Sequence, residues 1–275
     1  MSGRTPRLLL AALAFGYAFL YVPILTLIIY SFNESRLVTV WGGFSFKWWG
    51  ELLRNDTMLD AALLSFQIAL VNACVATVLG TMAGFALARY PRFAGRTAFT
   101  GLIAAPLVMP EVIMGIATLL LFVALDQLFH WPERGFTTIA VAHITFSVAY
   151  VAVVVQSRLA DFDRAVEEAA MDLGARPSTV FRTITLPLIA PALVSGWLLA
   201  FTLSMDDLIL TQFVAGPQSQ TLPMLIYSSV RLGVSPQINV LATIIVTIVA
   251  VAIIIAGWLM SRTRRRQMRE AQAVR

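Results

Sequence analysis

Long apolar runs alternate with short polar ones along this chain, and the runs are too long for the core of a soluble domain. Six can be marked: Leu8–Tyr30, Ala61–Ala88, Thr97–Leu125, Phe136–Ser157, Leu188–Ala215 and Ile238–Ser261. A helix needs about 20 apolar residues to cross the hydrocarbon of a bilayer, and each block is that long. Unbroken runs such as "INVLATIIVTIVAVAIIIAGWLM" contradict the two-residue alternation of an outer-membrane barrel. The pattern predicts an all-α integral membrane protein of six transmembrane helices, a single membrane domain over residues 1–275. Composition agrees, since 13% of residues are charged against roughly a quarter in a soluble domain. The first block follows Arg4 and Arg7 but outlasts the apolar core of a signal peptide, and no small-x-small site follows it cleanly. It is read as a permanent anchor.

Basic residues assign sides to the polar connections, because they accumulate on the cytoplasmic face. With the N-terminus inside, the inner segments hold fifteen Lys and Arg residues and the outer segments five. Both termini are therefore expected in the cytoplasm. The net charge of +5 does not point to nucleic acid, because the basic tail "SRTRRRQMREAQAVR" directly follows a span and suits anionic lipid headgroups. The one cysteine, Cys74, falls inside the second span, which leaves no disulfide framework. In the outer connection, "FSFKWWGELLRN" reads as a short helix lying at the membrane interface. Ala76, Gly80, Gly84 and Ala88 of the second span follow small-xxx-small spacing, which lets helices approach closely.

The inner connection from Arg158 to Pro187 is longer than a simple connector requires. Within it, "DFDRAVEEAAMDL" has acids early and helix formers after them. Gly174 permits the left-handed conformation that ends a helix, and Pro177 suits the first turn of the next. The segment predicts two short helices joined by a hinge, the second running through "VFRTI" until Pro187 opens the fifth span.

Chemistry in the membrane comes down to three acids. Each charge at a helix centre costs about 2.5–3.5 kcal/mol on insertion scales, yet Glu111, Asp206 and Asp207 lie within predicted spans and no lysine or arginine shares the bilayer with them. They are either protonated and bonded to neighbouring helices or arranged for a cation. Glu111 follows "PLVMP", where Pro106 and Pro110 should interrupt the third helix, and broken helices expose carbonyls that ligate cations. On a continuous fifth helix, Ser204, Asp207 and Thr211 would form one polar stripe and Thr202 with Asp206 another. His143, in the fourth span, reads as a helix-to-helix hydrogen bonder and not as a catalyst. A phosphate-binding G-x-x-x-x-G-K-[ST] loop needs a lysine, and the single lysine, Lys47, is in an outer connection after phenylalanine. No catalytic constellation, metal site or bound cofactor is expected.

Glu168-Ala169-Ala170, three residues, Gly174, nine residues, Ile184, one residue, then Leu186-Pro187 resembles the EAA loop of permease subunits in bacterial ATP-driven importers. "YSFNESRLVTVW", "APLVMPEVI", "SGWLLAFTLSMDDL" and "GPQSQTLPMLIYSSVRLGVSPQIN" extend the resemblance to the polyamine importers, most closely the putrescine system. The resemblance implies the type I ABC importer permease fold in the bacterial inner membrane. It implies a heterodimer with a sister permease, two ATPase subunits that carry ATP and magnesium, and a periplasmic substrate-binding protein that delivers the polyamine. Glu168, Ala169, Ala170, Gly174, Ile184, Leu186 and Pro187 would then dock the ATPase. Glu111, Asp206 and Asp207 are assigned to the substrate path by their charge. A permease of the same class for another cationic or small organic solute, an ion-coupled secondary transporter, and a membrane scaffold without transport remain as alternatives.

Overall fold

The computed structural model describes residues 7–232, 235–251 and 254. The described residues are helical apart from connections and one isolated bridge between Asn33 and Phe44. In chain order the helices are α1 (Arg7–Tyr30), α2 (Lys47–Leu52), α3 (Asp56–Arg89), α4 (Arg96–Val108), α5 (Glu111–Phe129) and α6 (Phe136–Ala160). They continue with α7 (Ala165–Asp172), α8 (Pro177–Val180), a π turn (Phe181–Thr185), α9 (Leu186–Met205), α10 (Ile209–Val214), α11 (Leu222–Leu232) and α12 (Pro236–Val251). Among the described residues, five helices are long and apolar enough to cross a membrane: Leu9–Tyr30, Asp56–Arg89, Glu111–Phe129, Phe136–Ala160 and Pro177–Met205. The sixth expected block is described as helix up to Val251, and the basic tail after it lies outside the described residues.

Two compact units divide the chain, one of residues 1–59 with 228–275 and one of residues 60–227. In the first, Asn33 knits the connection that follows α1. Its Nδ2 donates to the Val40 carbonyl at 2.8 Å and its Oδ1 accepts the Gly42 amide at 2.8 Å. Phe32 stacks on both Phe44 and Trp49, and the Trp49 indole donates to the Ser31 carbonyl. The expected short helix in "FSFKWWGELLRN" is α2, with Trp48 buried.

The second unit is organised around α6, of whose 25 residues eleven are buried. It packs against α4, α9 and α10. The small residues of α3 make a close approach to it possible. A Cβ on Gly80 would stand 2.6 Å from the Val151 Cβ, and one on Gly84 would stand 2.6 Å from the Ala152 carbonyl oxygen. Gly196 of α9 meets Val151 from another side, and Ala73, Ala76, Val155, Leu159, Ile189 and Ala200 close the core around it. In lipid, where apolar contact has no water to escape, this interdigitation supplies much of the association between helices.

One expected break is present, and two other helices depart from the sequence expectation. The third block is two helices, broken where Met109 is held extended (φ −76°, ψ 137°) before Pro110. Pro106 does not break the chain; it sits in the last turn of α4. The fifth block is also two helices, interrupted at Asp206–Leu208, so the stripes drawn on one continuous helix do not exist as such. Conversely, the second helix of the polar elbow is not separate from the fifth span: Pro177–Met205 is one helix. The π turn makes this possible. Pro187 has no N–H for the Thr183 carbonyl four residues earlier, and one widened turn absorbs the mismatch.

The contact at Gly84 gives a matched test. Gly84→Ala should lower the midpoint of thermal unfolding in detergent, by an overpacking cost of about 1–3 kcal/mol. Gly101→Ala, where no atom lies within 4 Å of the added carbon, should leave the midpoint unchanged or raised. Equal midpoints for both would remove the α3–α6 contact from the stability of the fold.

Candidate functional site: two broken helices and a polar elbow

Each helix break leaves backbone groups without helical partners, and the sequence supplies some of those partners locally. Pro110 offers no N–H to the Pro106 carbonyl. Glu111 then opens α5, where a carboxylate suits the positive end of the helix dipole. Its side chain is exposed, with no hydrogen bond or ion pair among the described residues. Downstream, α5 lies along α10: a Cβ on Gly115 would run into the Phe213 ring. Glycine at 115 is what lets the two helices that follow the breaks pack on each other.

The α9–α10 break is closed by a buried polar cluster. Asp207 caps α10, its Oδ2 accepting the Thr211 amide at 2.8 Å and its Oδ1 the Leu210 amide at 3.3 Å. The Thr211 hydroxyl donates to the same Oδ2 at 2.6 Å. From α6, His143 reaches in with Nε2 at 3.1 Å from Asp207 Oδ2 and 2.9 Å from Thr211 Oγ1, while Nδ1 lies 2.7 Å from Ser204 Oγ. All these bonds are satisfied together when Nε2–H donates to Asp207 and Thr211 and Ser204 donates to Nδ1. One turn along α6, Ser147 accepts from Asn72 Nδ2 at 3.0 Å, and the same amide nitrogen reaches the Ala200 carbonyl at 2.8 Å.

The other end of α10 is capped from α6 and from the connection that precedes it. Arg134 donates to the Phe213 and Ala215 carbonyls at 3.0 Å each, and the Thr138 hydroxyl to the Val214 carbonyl at 2.8 Å. Gly216 follows because a side chain there would collide with the Arg134 carbonyl.

The three acids therefore have different surroundings. Asp207 is not an unpaired charge: His143 and Thr211 hold it, and its side chain is 13% exposed. The imidazole is the partner that no lysine or arginine supplies, and the helix-bridging role expected of His143 is what the structure shows. Ser204, Asp207 and Thr211 do converge, through that ring and not through a stripe. Asp206, at the C-terminal end of α9, and Glu111 are both exposed. A cavity of about 290 Å³ beside Asp126, Glu133 and Arg134 includes none of the three.

At the elbow, α7 ends in the αL geometry expected of Gly174 (φ 88°). The Gly174 amide donates to the Met171 carbonyl and the Ala175 amide to the Ala170 carbonyl, a Schellman closure. Pro177 opens α8, as expected. Glu168, Ala169, Gly174, Leu186 and Pro187 are exposed, whereas Ala170 and Ile184 are half-buried. Beside them Leu173 is 90% exposed, an apolar side chain without cover among the described residues. Glu167, just outside the pattern, faces inward instead: it pairs with Arg89 at 2.8 Å and accepts the Thr185 hydroxyl at 2.6 Å. Nothing in the sequence distinguished it from Glu168.

Known proteins resemble both the sequence and the architecture. The chain is 56% identical over 264 residues to the putrescine transport system permease protein PotI of Escherichia coli (strain K12), covering 96% of this chain and 94% of that protein. It is 43% identical over 248 residues to the spermidine/putrescine transport system permease protein PotC of the same organism, covering 90% and 91%. Among solved structures, a bacterial alginate ABC transporter in complex with an alginate pentasaccharide-bound periplasmic protein aligns with TM-score 0.68 at 17% identity, covering 90% of each chain. The MetNI methionine ABC transporter aligns with TM-score 0.59 at 16% identity, covering 75% of this chain and 95% of that one. The fold is the type I ABC importer permease fold that the sequence led us to expect. The family described as binding-protein-dependent transport system inner membrane component matches residues 76–269, and with an elbow, broken helices and relatives of this kind the chain belongs to that family.

Proposed function

We propose that this chain is a permease subunit of an ATP-driven importer that carries putrescine across the bacterial inner membrane, with both termini in the cytoplasm. It pairs with a sister permease; two ATPase subunits bind ATP and magnesium, and a periplasmic binding protein delivers the substrate. The chain itself holds no cofactor and catalyses no reaction. The observation that carries this reading is the similarity to PotI along nearly the whole chain, which exceeds that to PotC.

The geometry supports a cationic cargo. Glu111 and Asp206 stand exposed beside two breaks, where a helix end brings carbonyl oxygens without helical donors. Carboxylates and carbonyls together suit the ammonium ends of a diamine. Asp207 belongs to the walls of the path and not to its lining, because its oxygens are taken by Thr211, Leu210 and His143. The elbow supports an external motor. Glu168, Ala169, Gly174, Leu186, Pro187 and Leu173 are exposed, and α8 continues without interruption into α9, so displacement at the elbow is displacement of the span.

The test is uptake of labelled putrescine by proteoliposomes holding the complete complex with its binding protein. Uptake should require ATP and persist after ion gradients are collapsed; uptake driven by a gradient without ATP would replace this reading by secondary transport. Spermidine added in excess distinguishes a strict putrescine system from a mixed one. Glu111→Gln and Asp206→Asn should each reduce uptake at limiting substrate about tenfold, the effect of roughly 1.4 kcal/mol from one charged contact. Normal uptake in either variant takes that residue off the path. Asp207→Ala should act differently, lowering the unfolding midpoint through loss of a cap and a buried bond worth about 1–3 kcal/mol. Leu173→Asp should prevent capture of the ATPase subunit while leaving that midpoint unchanged, and wild-type capture would move the docking surface elsewhere.

A further inference from the structure

Most residues that the family pattern names in the elbow are exposed, yet the most connected side chain of α7 is Glu167, which points inward. One of its oxygens, Oε1, receives both Arg89 Nη2 from the last residue of α3 and the Thr185 hydroxyl from the last residue of the π turn. The pair is largely shielded, with Arg89 at 9% and Glu167 at 13% side-chain exposure. The Arg89 guanidinium lies over the Phe162 ring at 5.7 Å, which covers it further. A second arginine works alongside: Arg164, the residue that precedes α7, donates to the Ala88 carbonyl of α3 at 2.7 Å. Both arginines meet the negative end of the α3 dipole, where cations are favoured.

We infer that Glu167 is a positioning residue for transport, the point at which movement of the elbow is passed to α3 as well as to α9. This inference rests on the reading of the elbow as the ATPase contact. The covalent route from the elbow leads through α8 and the π turn into α9. No covalent route leads from α7 to α3 except back along the whole of α4, α5 and α6. The carboxylate supplies that second route directly, and by holding Thr185 it also fixes the π turn, the widened point of the 29-residue helix Pro177–Met205. A partly buried ion pair suits such a joint: removing one partner strands the other charge away from water, so the joint stays closed under load instead of exchanging with solvent. With the pair intact, α3, α7 and α9 move as one body. Without it, α9 can be displaced while α3 lags, and nucleotide is hydrolysed without a matching change in the path.

The experiment compares Glu167→Gln with wild type in proteoliposomes of the complete complex, measuring ATP hydrolysed and putrescine imported in the same vesicles. The amide retains an acceptor for Thr185 but loses the charge for Arg89. The expected result is unchanged capture of the ATPase subunit, ATP hydrolysis at or above the wild-type rate, and import per ATP reduced about fivefold or more. The exchanged pair, Arg89→Glu with Glu167→Arg, should restore a substantial part of that ratio, which a variant damaged only in folding would not do. An unchanged ratio in Glu167→Gln overturns the inference. So does a ratio lowered equally in the single and the exchanged variants, or loss of ATPase capture in Glu167→Gln, which would make the residue part of the docking surface. Failure of the underlying reading looks different: with Glu167 unchanged, Leu173→Asp would leave capture of the ATPase subunit intact.

Discussion

Backbone amides and carbonyls inside a bilayer have no lipid group to bond, so an interrupted transmembrane helix must either bring its own partners or face a water-filled path. The first alternative explains the polar residues around α10. The six-residue helix α10 leaves a free amide end and a free carbonyl end between two breaks. Asp207 closes the first, and Arg134 with Thr138 closes the second. His143 then joins the capping carboxylate to α6 and to Ser204 at the end of α9. A helix break that would otherwise be a defect becomes a fixed feature of the fold.

Rigidity around that break comes from close packing. Glycines on α3 and α9 let α6 approach until backbone and side chain touch, and Val151 fills the space between them. Helices packed so closely shift as bodies and do not bend smoothly. The elbow has the same character, since its second arm is α9 itself and its first arm is pinned to the end of α3. Acids stand exposed at the breaks, Glu111 and Asp206, and Leu173 stands exposed on the elbow.

Much of this was legible in the sequence, because the signals concerned are local. Apolar length marked the blocks that hold the five membrane-length helices, small-residue spacing on α3 marked a close helix contact whose partner is α6, and Gly174 and Pro177 marked the elbow's hinge to the residue. Pro110 announced the first break for the same reason: its missing N–H is a property of the residue alone. The second break carried no such mark. "SMDDLIL" contains neither proline nor glycine, and the helix stops there because His143, more than 60 positions earlier in the chain, offers the capping aspartate a partner. Long-range pairing also separates Glu167 from Glu168, identical neighbours of which one turns toward Arg89. The continuity of α8 with α9 was hidden by Pro187, which reads as a helix start but is accommodated by a π turn.

The central claim is that force applied at the elbow changes which side of the membrane the broken helices face. Thiol accessibility tests this directly: a cysteine placed at Leu208, in a background with Cys74 replaced by serine, is challenged with a membrane-impermeant reagent from either side of sealed vesicles containing the whole complex. The account predicts labelling from one side without nucleotide and from the opposite side when ATP is bound and hydrolysis is blocked. Labelling from the same side at the same rate in both states would contradict it.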